Sequence, residues 1–304
     1  MKSISPHFKK ENIPIVFISD ENYVKYLSVT IASIAQNASF QKKYDIIVFG
    51  ENLSAKSEEK LYALVSSFEK ISLRIFDTAD FLQEVDTSLF ILKRENMSSA
   101  AYFRLFLPEI LIAYKKCIYL DCDLVVNADL EELFATTLER NLLAVVKDQG
   151  MGNSSPEDKE IRDYLIGFLK LNSYQDYFNS GILVLNLVQM RTEQFSKKAL
   201  LVLKDEEFGK VPFHDQTIIH YITDKKPWNY RLNHLADYFW KYAQYSPYYE
   251  EILCAYKKAF FEENLRNKKL YKKYRIRTLF SFGLFPRWKR KMKLYAERID
   301  HLCF

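Results

Sequence analysis

Six short apolar runs recur along this chain, each separated from the next by a longer stretch, and that alternation restricts the folds open to it. The runs are Ile15-Val16-Phe17-Ile18, Ile46-Ile47-Val48-Phe49, Leu73-Arg74-Ile75-Phe76, Ile118-Tyr119-Leu120, Leu143-Ala144-Val145-Val146 and Ile182-Leu183-Val184-Leu185. β-Branched and aromatic residues dominate them, as in strands covered on both faces. Between them lie amphipathic stretches. Residues 26–36 carry Leu27, Ile31 and Ile34 on one helical face, and residues 57–68 open on Ser57-Glu58-Glu59-Lys60, a helix start. Strands alternating with helices predict an α/β chain with a mainly parallel, doubly wound sheet.

Most of these runs give way to a polar residue. The first ends at Asp20, the third at Asp77, the fourth at Asp121 and Asp123, the fifth at Asp148 and the sixth at Asn186. Ligands of open α/β sheets bind outside the carboxyl ends of the strands, so these residues predict one site. A strand end that simply meets solvent also carries acids. The segment "YLDCDLVVNAD" (residues 119–129) differs, because the chain resumes apolar at Leu124-Val125-Val126 instead of turning into a loop.

With 304 residues, 48% of them apolar, the chain is long enough for one large domain and an appendage, and a boundary near Trp240 divides it into residues 1–240 and 241–304. The four cysteines form no CxxC pair, and the start, MKSISPHFKKEN, lacks the apolar stretch of a signal peptide. Free thiols in a reducing, cytoplasmic setting are expected. Among the runs of apolar residues, none approaches the roughly 20 needed to span a bilayer.

Charge is unevenly placed. Residues 257–304 hold 15 Lys+Arg against 4 Asp+Glu, whereas residues 1–256 hold 29 against 35. In the tail, Arg275, Arg277, Arg287, Lys289, Arg290, Lys291 and Lys293 alternate with Phe280, Phe282, Leu284, Phe285 and Trp288. A helical tail of that composition suits an anionic membrane surface and a peripheral place on the inner face of the plasma membrane. The plain alternative is a solvated basic helix packed on the domain. The net-acidic remainder shows no nucleic-acid motif, so no nucleic-acid partner is expected.

Three readings of Asp121 and Asp123 compete. An EF-hand loop would put Asp121, Asp123 and Glu132 at its positions 1, 3 and 12, but Val125 and Val126 stand where a ligand and a turn glycine are required, which excludes it. A phosphatase of the haloacid dehalogenase type also carries two acids one residue apart at a strand end, one as nucleophile and one as proton donor. It usually carries them on its first strand, with a later acidic pair for Mg²⁺. Third, two carboxylates can hold Mn²⁺ or Mg²⁺ against the diphosphate of a nucleotide sugar, the cation offsetting charge on the departing nucleoside diphosphate.

Six segments in order favour the third reading. They are "IPIVFISDENYVKYLSVTIASI", "SSAAYFRLFLPEIL", "KCIYLDCDLVVNADLEELF", "YFNSGILVLNLVQMR", "FHDQTI" and "HYITDKKPWNY". Together they resemble the signatures of glycosyltransferase family 8, which includes bacterial lipooligosaccharide galactosyl- and glucosyltransferases and glycogenin. The resemblance implies a GT-A fold, a Rossmann-like sheet with flanking helices. It implies a UDP-hexose donor, a glycan or lipid-linked oligosaccharide acceptor, Mn²⁺ (or Mg²⁺), and transfer with retention of configuration.

Carried over residue by residue, the resemblance assigns Asp20, Asn22 and Tyr23 to the uridine and Arg104 to the sugar or diphosphate. It assigns Asp121 and Asp123 to the metal, with Asp123 also near the ribose. Asp148, Asn179, Asp215 and Gln216 would line the sugar pocket, and Asp148, Asp215 and Gln216 are the candidates to face the anomeric carbon. His220 would be a third metal ligand and Lys226 would reach the diphosphate. Four of them have a structural alternative: a turn at Asn179 before Gly181, a surface ion pair at Arg104, a helix cap at Asp215, and a packed histidine on an apolar helix face at His220. One departure from the family pattern stands out. Family members separate the Asp-Gln pair from the metal histidine by several dozen residues, whereas here only Thr217, Ile218 and Ile219 intervene. A short helix bearing Gln216 and His220 on one face would have to serve two sides of the pocket. A catalytically impaired nucleotide- or glycan-binding domain is therefore a second expectation.

Overall fold

The protein is described here by a computed structural model covering residues 3–10, 12–82, 100–148, 163–168, 171–203, 218–220, 226–229 and 235–261. All six apolar runs become strands of one sheet: β1 (Asn12–Asp20), β2 (Lys43–Glu51), β3 (Ile71–Asp77), β4 (Cys117–Leu120), β6 (Leu143–Lys147) and β7 (Phe178–Leu185), with the short β5 (Leu124–Val126) outside it. The order across the sheet is β3-β2-β1-β4-β7-β6. β1 and β2 are buried along all but their end residues, which accounts for their uninterrupted apolar sequence.

One strand runs against the rest. β7 pairs antiparallel with both β4 and β6, while β1 to β4 are parallel. The reversal exchanges the two ends of β7. Asn179, near its start, lies at the carboxyl edge of the parallel strands, where the Asp121 amide donates to the Gly181 carbonyl at 2.9 Å. Asn186, expected at that edge, lies at the opposite one. Its amide donates to the Leu142 carbonyl, and its side chain accepts from the Gln189 amide at the start of helix Leu187–Thr192.

Helix α1 (Val24–Asn37) is buried along most of its length, including Ser28, Thr30 and Ser33. Helix α2 (Ala55–Val65) begins two residues earlier than its sequence suggested. Ser54 is the cap, its hydroxyl accepting from the Ser57 amide. A core of Val16, Ile18, Ile47, Phe49, Phe103, Leu107, Tyr119 and their neighbours fills one side of the sheet.

The segment around His220 departs from expectation. Ile218–His220 is a strand, β8, pairing antiparallel with β5 in the register Leu124↔His220, Val125↔Ile219 and Val126↔Ile218. β-Branched residues lie opposite one another in that ladder, a composition that favours strand over helix. Asp215 and Gln216 lie outside the described residues, as does the basic tail beyond residue 261.

The chain divides into two compact units, residues 1–227 with 234–249, and residues 228–233 with 250–304. Near the end of the described residues, 249–261 are helical. Among the described residues, no helix is long and apolar enough to cross a membrane.

Candidate active site

The carboxyl ends of β1 and β4 bring Asp20 and Asp121 to the same edge of the sheet, because the two strands pair in the register Ile15↔Ile118 and Val16↔Tyr119. After β1 the chain turns at once into α1. The Asp20 carboxylate accepts from the Tyr23 amide at 2.9 Å and so closes that turn. Tyr23, half-exposed, faces the acids that come after β4. Burial and the negative charges of Asp123, Asp20 and Asp121 push its hydroxyl up to about 12. Asp20, Tyr23 and the paired acids therefore share one patch.

The two acids have different partners. The Asp121 carboxylate accepts from the Tyr119 hydroxyl at 2.6 Å and from the Arg104 guanidinium at 3.3 Å. Arg104 also donates to the Ser180 carbonyl at 2.8 Å and lies 4.6 Å from the Tyr119 ring centre. Its desolvation is outweighed by Tyr119 and Asp121, which keep it firmly cationic. Asp123 is buried and forms an ion pair with the Lys226 ammonium. Asp148 and Asn179, both buried, flank the sheet end on the β6–β7 side, where the Asp148 amide donates to the Tyr177 carbonyl. The Asn179 side chain accepts from the Gly181 amide at 2.8 Å, within β7 and not in a turn before it. The backbone of His220 sits opposite Leu124, next to Asp123 in sequence.

A metal is compatible with these residues. Asp121 and Asp123 supply hard carboxylate oxygens, and Mg²⁺-like ions need only one or two protein carboxylates when substrate phosphates complete the shell. Among the described residues there is no cluster of three or more His, Cys, Asp or Glu side chains that would hold a cation alone.

Sequence reasoning missed the residues that hold the acids in place. The Thr30 hydroxyl lies 2.7 Å from the Cys122 carbonyl and 2.8 Å from the Leu124 carbonyl, and accepts from the Leu124 amide at 3.3 Å. Ser33 accepts from the Val126 amide at 2.9 Å, and Asn37 donates to the Val126 carbonyl at 3.0 Å. Their spacing of three and four along one side of α1 was the available signal. Glu21 was also passed over. Its carboxylate accepts from the Ser54 amide, the Ser54 hydroxyl and the Ser57 hydroxyl, tying the β1–α1 turn to the start of α2. Slight burial would raise its pKa, but these hydrogen bonds bring it below the usual glutamate value.

The chain is similar to known proteins in both sequence and fold. A sequence profile described as Glycosyl transferase family 8 matches residues 14–218. General stress protein A of Bacillus subtilis is 24% identical over 221 residues, 70% of each chain. The lipopolysaccharide 1,2-glucosyltransferase of Escherichia coli is 26% identical over 216 residues, 70% of this chain and 59% of that enzyme. The bifunctional glycosyltransferase WbbM superposes with a TM-score of 0.67 at 26% identity, covering 83% of this chain and 53% of WbbM. The galactosyltransferase LgtC, 21% identical with a TM-score of 0.57 over 76% of this chain and 95% of its own, shares the GT-A fold. The chain thus spans little more than half of several relatives. Family membership sets aside the phosphatase reading of the paired acids. The profile ends at residue 218, within the shortened segment before His220. On the profile match over two thirds of its length, this chain belongs to glycosyl transferase family 8 and is a glycosyltransferase.

Proposed function

We propose that this protein transfers a hexose, galactose or glucose, from UDP to a hydroxyl of a glycan or lipooligosaccharide acceptor, with retention of configuration. The observation that carries the reading is the charge-matched cluster at the end of β4: two carboxylates, Asp121 and Asp123, each paired with a cation, Arg104 and Lys226. A divalent cation and a diphosphate could exchange into such a cluster with every charge still compensated, the acids turning to the metal and the basic groups to phosphate. Bound Mn²⁺ or Mg²⁺ would neutralise charge on the departing UDP. Asp121 and Asp123 would hold it, with His220 as a third ligand.

The protein's own contribution is positioning. Asp20, Asn22 and Tyr23, fixed by the turn that the Asp20 carboxylate closes, would seat the uridine. Asp148, Asn179, Asp215 and Gln216 would line the hexose. Retention needs no protein base if the leaving phosphate oxygen takes the acceptor proton, so placement of the reactants carries most of the rate. Relatives described as lipopolysaccharide 1,2-glucosyltransferase and 1,3-galactosyltransferase support a hexose donor and a lipid-linked glycan acceptor. The basic tail would bring the enzyme to such an acceptor. Salt-sensitive pelleting with phosphatidylglycerol vesicles, lost when Lys289, Arg290, Lys291 and Lys293 are changed to Gln, checks that part.

The test of the reaction is UDP release. UDP-galactose and UDP-glucose are each incubated with the protein, Mn²⁺ and lipooligosaccharide, and free UDP is measured. Metal-dependent release that rises with acceptor supports the transferase. UDP binding without release, with or without acceptor, identifies the catalytically impaired binding domain instead.

A further inference from the structure

Asp123 is buried, its side chain reaches Lys226, and its direction depends on the two peptide groups that flank it. Both are in contact with a single atom of another element. Thr30 Oγ1 on α1 lies 2.7 Å from the Cys122 carbonyl, which precedes Asp123. It lies 2.8 Å from the Leu124 carbonyl and accepts from the Leu124 amide at 3.3 Å, on the following side. A threonine hydroxyl has one proton and two lone pairs. Here the proton is shared between the two carbonyls and a lone pair takes the amide. A helical threonine commonly bonds back to its own helix, but the Tyr26 carbonyl is 3.4 Å away, well beyond the contacts across to the two carbonyls.

The neighbouring anchors act on other atoms of the motif. The Asp121 amide is held by the Gly181 carbonyl, the Cys122 thiol donates to the Ile18 carbonyl at 3.0 Å, and Val126 is held by Ser33. Thr30 is fully buried in a helix that is itself buried, so it can hold a fixed geometry. We infer that Thr30 is a positioning residue that sets the direction of the Asp123 carboxylate for the cation and diphosphate. This rests on the proposed function and adds to it a residue that touches no substrate.

The experiment measures Mn²⁺-dependent UDP affinity by calorimetry, and Mn²⁺ binding by electron paramagnetic resonance. It compares wild type, Thr30→Val, Thr30→Ser and Ser28→Ala. Thr30→Val keeps the shape and removes the hydroxyl, and is expected to weaken binding about tenfold, as loss of a supporting hydrogen bond behind a metal ligand does. Thr30→Ser keeps the hydroxyl and is expected to bind like wild type. Ser28→Ala controls for general damage. It lies on the same helix, equally buried, and loses a hydroxyl pair with Ser246 of 2.6 Å, not a contact with the Asp123 segment. It is expected to lose stability but not affinity. Unchanged binding in Thr30→Val, or equal loss in Ser28→Ala, overturns the inference. If Thr30→Val does not fold, Thr30→Ala replaces it under the same criteria. Absence of Mn²⁺-dependent binding in wild type overturns the proposed function and this inference together, whereas wild-type binding with an unaffected Thr30→Val overturns this inference alone.

Discussion

Asp121 and Asp123 stand one residue apart, yet removing their charges should have unequal consequences. Asp123 and Lys226 form a pair with side chains only 10% and 11% exposed. Breaking a buried pair strands the remaining charge away from water, so Asp123→Asn is expected to lower the unfolding free energy by about 3 kcal/mol. Asp121 is more exposed and its contact with Arg104 is longer, so Asp121→Asn should cost about 1 kcal/mol or less. Urea unfolding of the two variants measures the difference, and equal losses would contradict the assigned environments. The sequence showed both acids and their strand. It did not show their partners, because Lys226 is 103 residues from Asp123 and Arg104 is 17 from Asp121. A charge that far along the chain is matched by topology, not by local pattern.

At the scale of elements, strand identity was legible and strand direction was not. Each apolar run announced itself by composition, but a run buried on both faces reads the same in either direction. β7 therefore carried Asn186 to the edge away from the acids and Asn179 to the edge beside them. The reversal has a measurable consequence. Asn186 caps helix Leu187–Thr192 and donates to the Asn141 carbonyl at 3.0 Å. Asn186→Ala is expected to lower stability by about 1 kcal/mol while UDP affinity stays at the wild-type value. A loss of affinity would return Asn186 to the site. The segment around His220 was misread for a related reason. With Gln216 and His220 four residues apart, helical spacing was easy to see. Three residues without their partner β5 gave no sign of a ladder, although Ile218 and Ile219 leaned that way.

Across the sheet, a buried structural charge cluster and the charge cluster proposed to bind ligand lie at opposite edges. At the amino edge, the fully buried Asp45 accepts from Arg74 at 2.8 and 3.0 Å, from Tyr114 at 2.7 Å and from Ser72 at 2.9 Å. The His7 amide donates at 3.1 Å and secures the N-terminal segment, and the Asn12 side chain donates at 3.3 Å. Burial alone would raise the Asp45 pKa, but the His7 amide, Tyr114, Arg74 and Ser72 together hold it below the ordinary 3.8. A depressed carboxyl stabilises the fold above its unfolded value and ceases to as pH falls through its folded one. Wild-type stability should therefore fall as pH drops below 3.8. Asp45→Asn should be less stable at neutral pH, by about 3 kcal/mol, and flatter across the acid range, as thermal melts at stepped pH would record. A variant as acid-sensitive as wild type would remove Asp45 from this role. At the carboxyl edge, by contrast, the proposed function has Asp121, Asp123, Arg104 and Lys226 exchange their partners for a ligand. That claim is tested most directly by isothermal titration of the protein with UDP, with and without Mn²⁺, beside the Asp121→Ala/Asp123→Ala double variant. The account expects metal-dependent binding in the wild type and none in the variant. UDP binding that ignores both the metal and the loss of the two acids would contradict it.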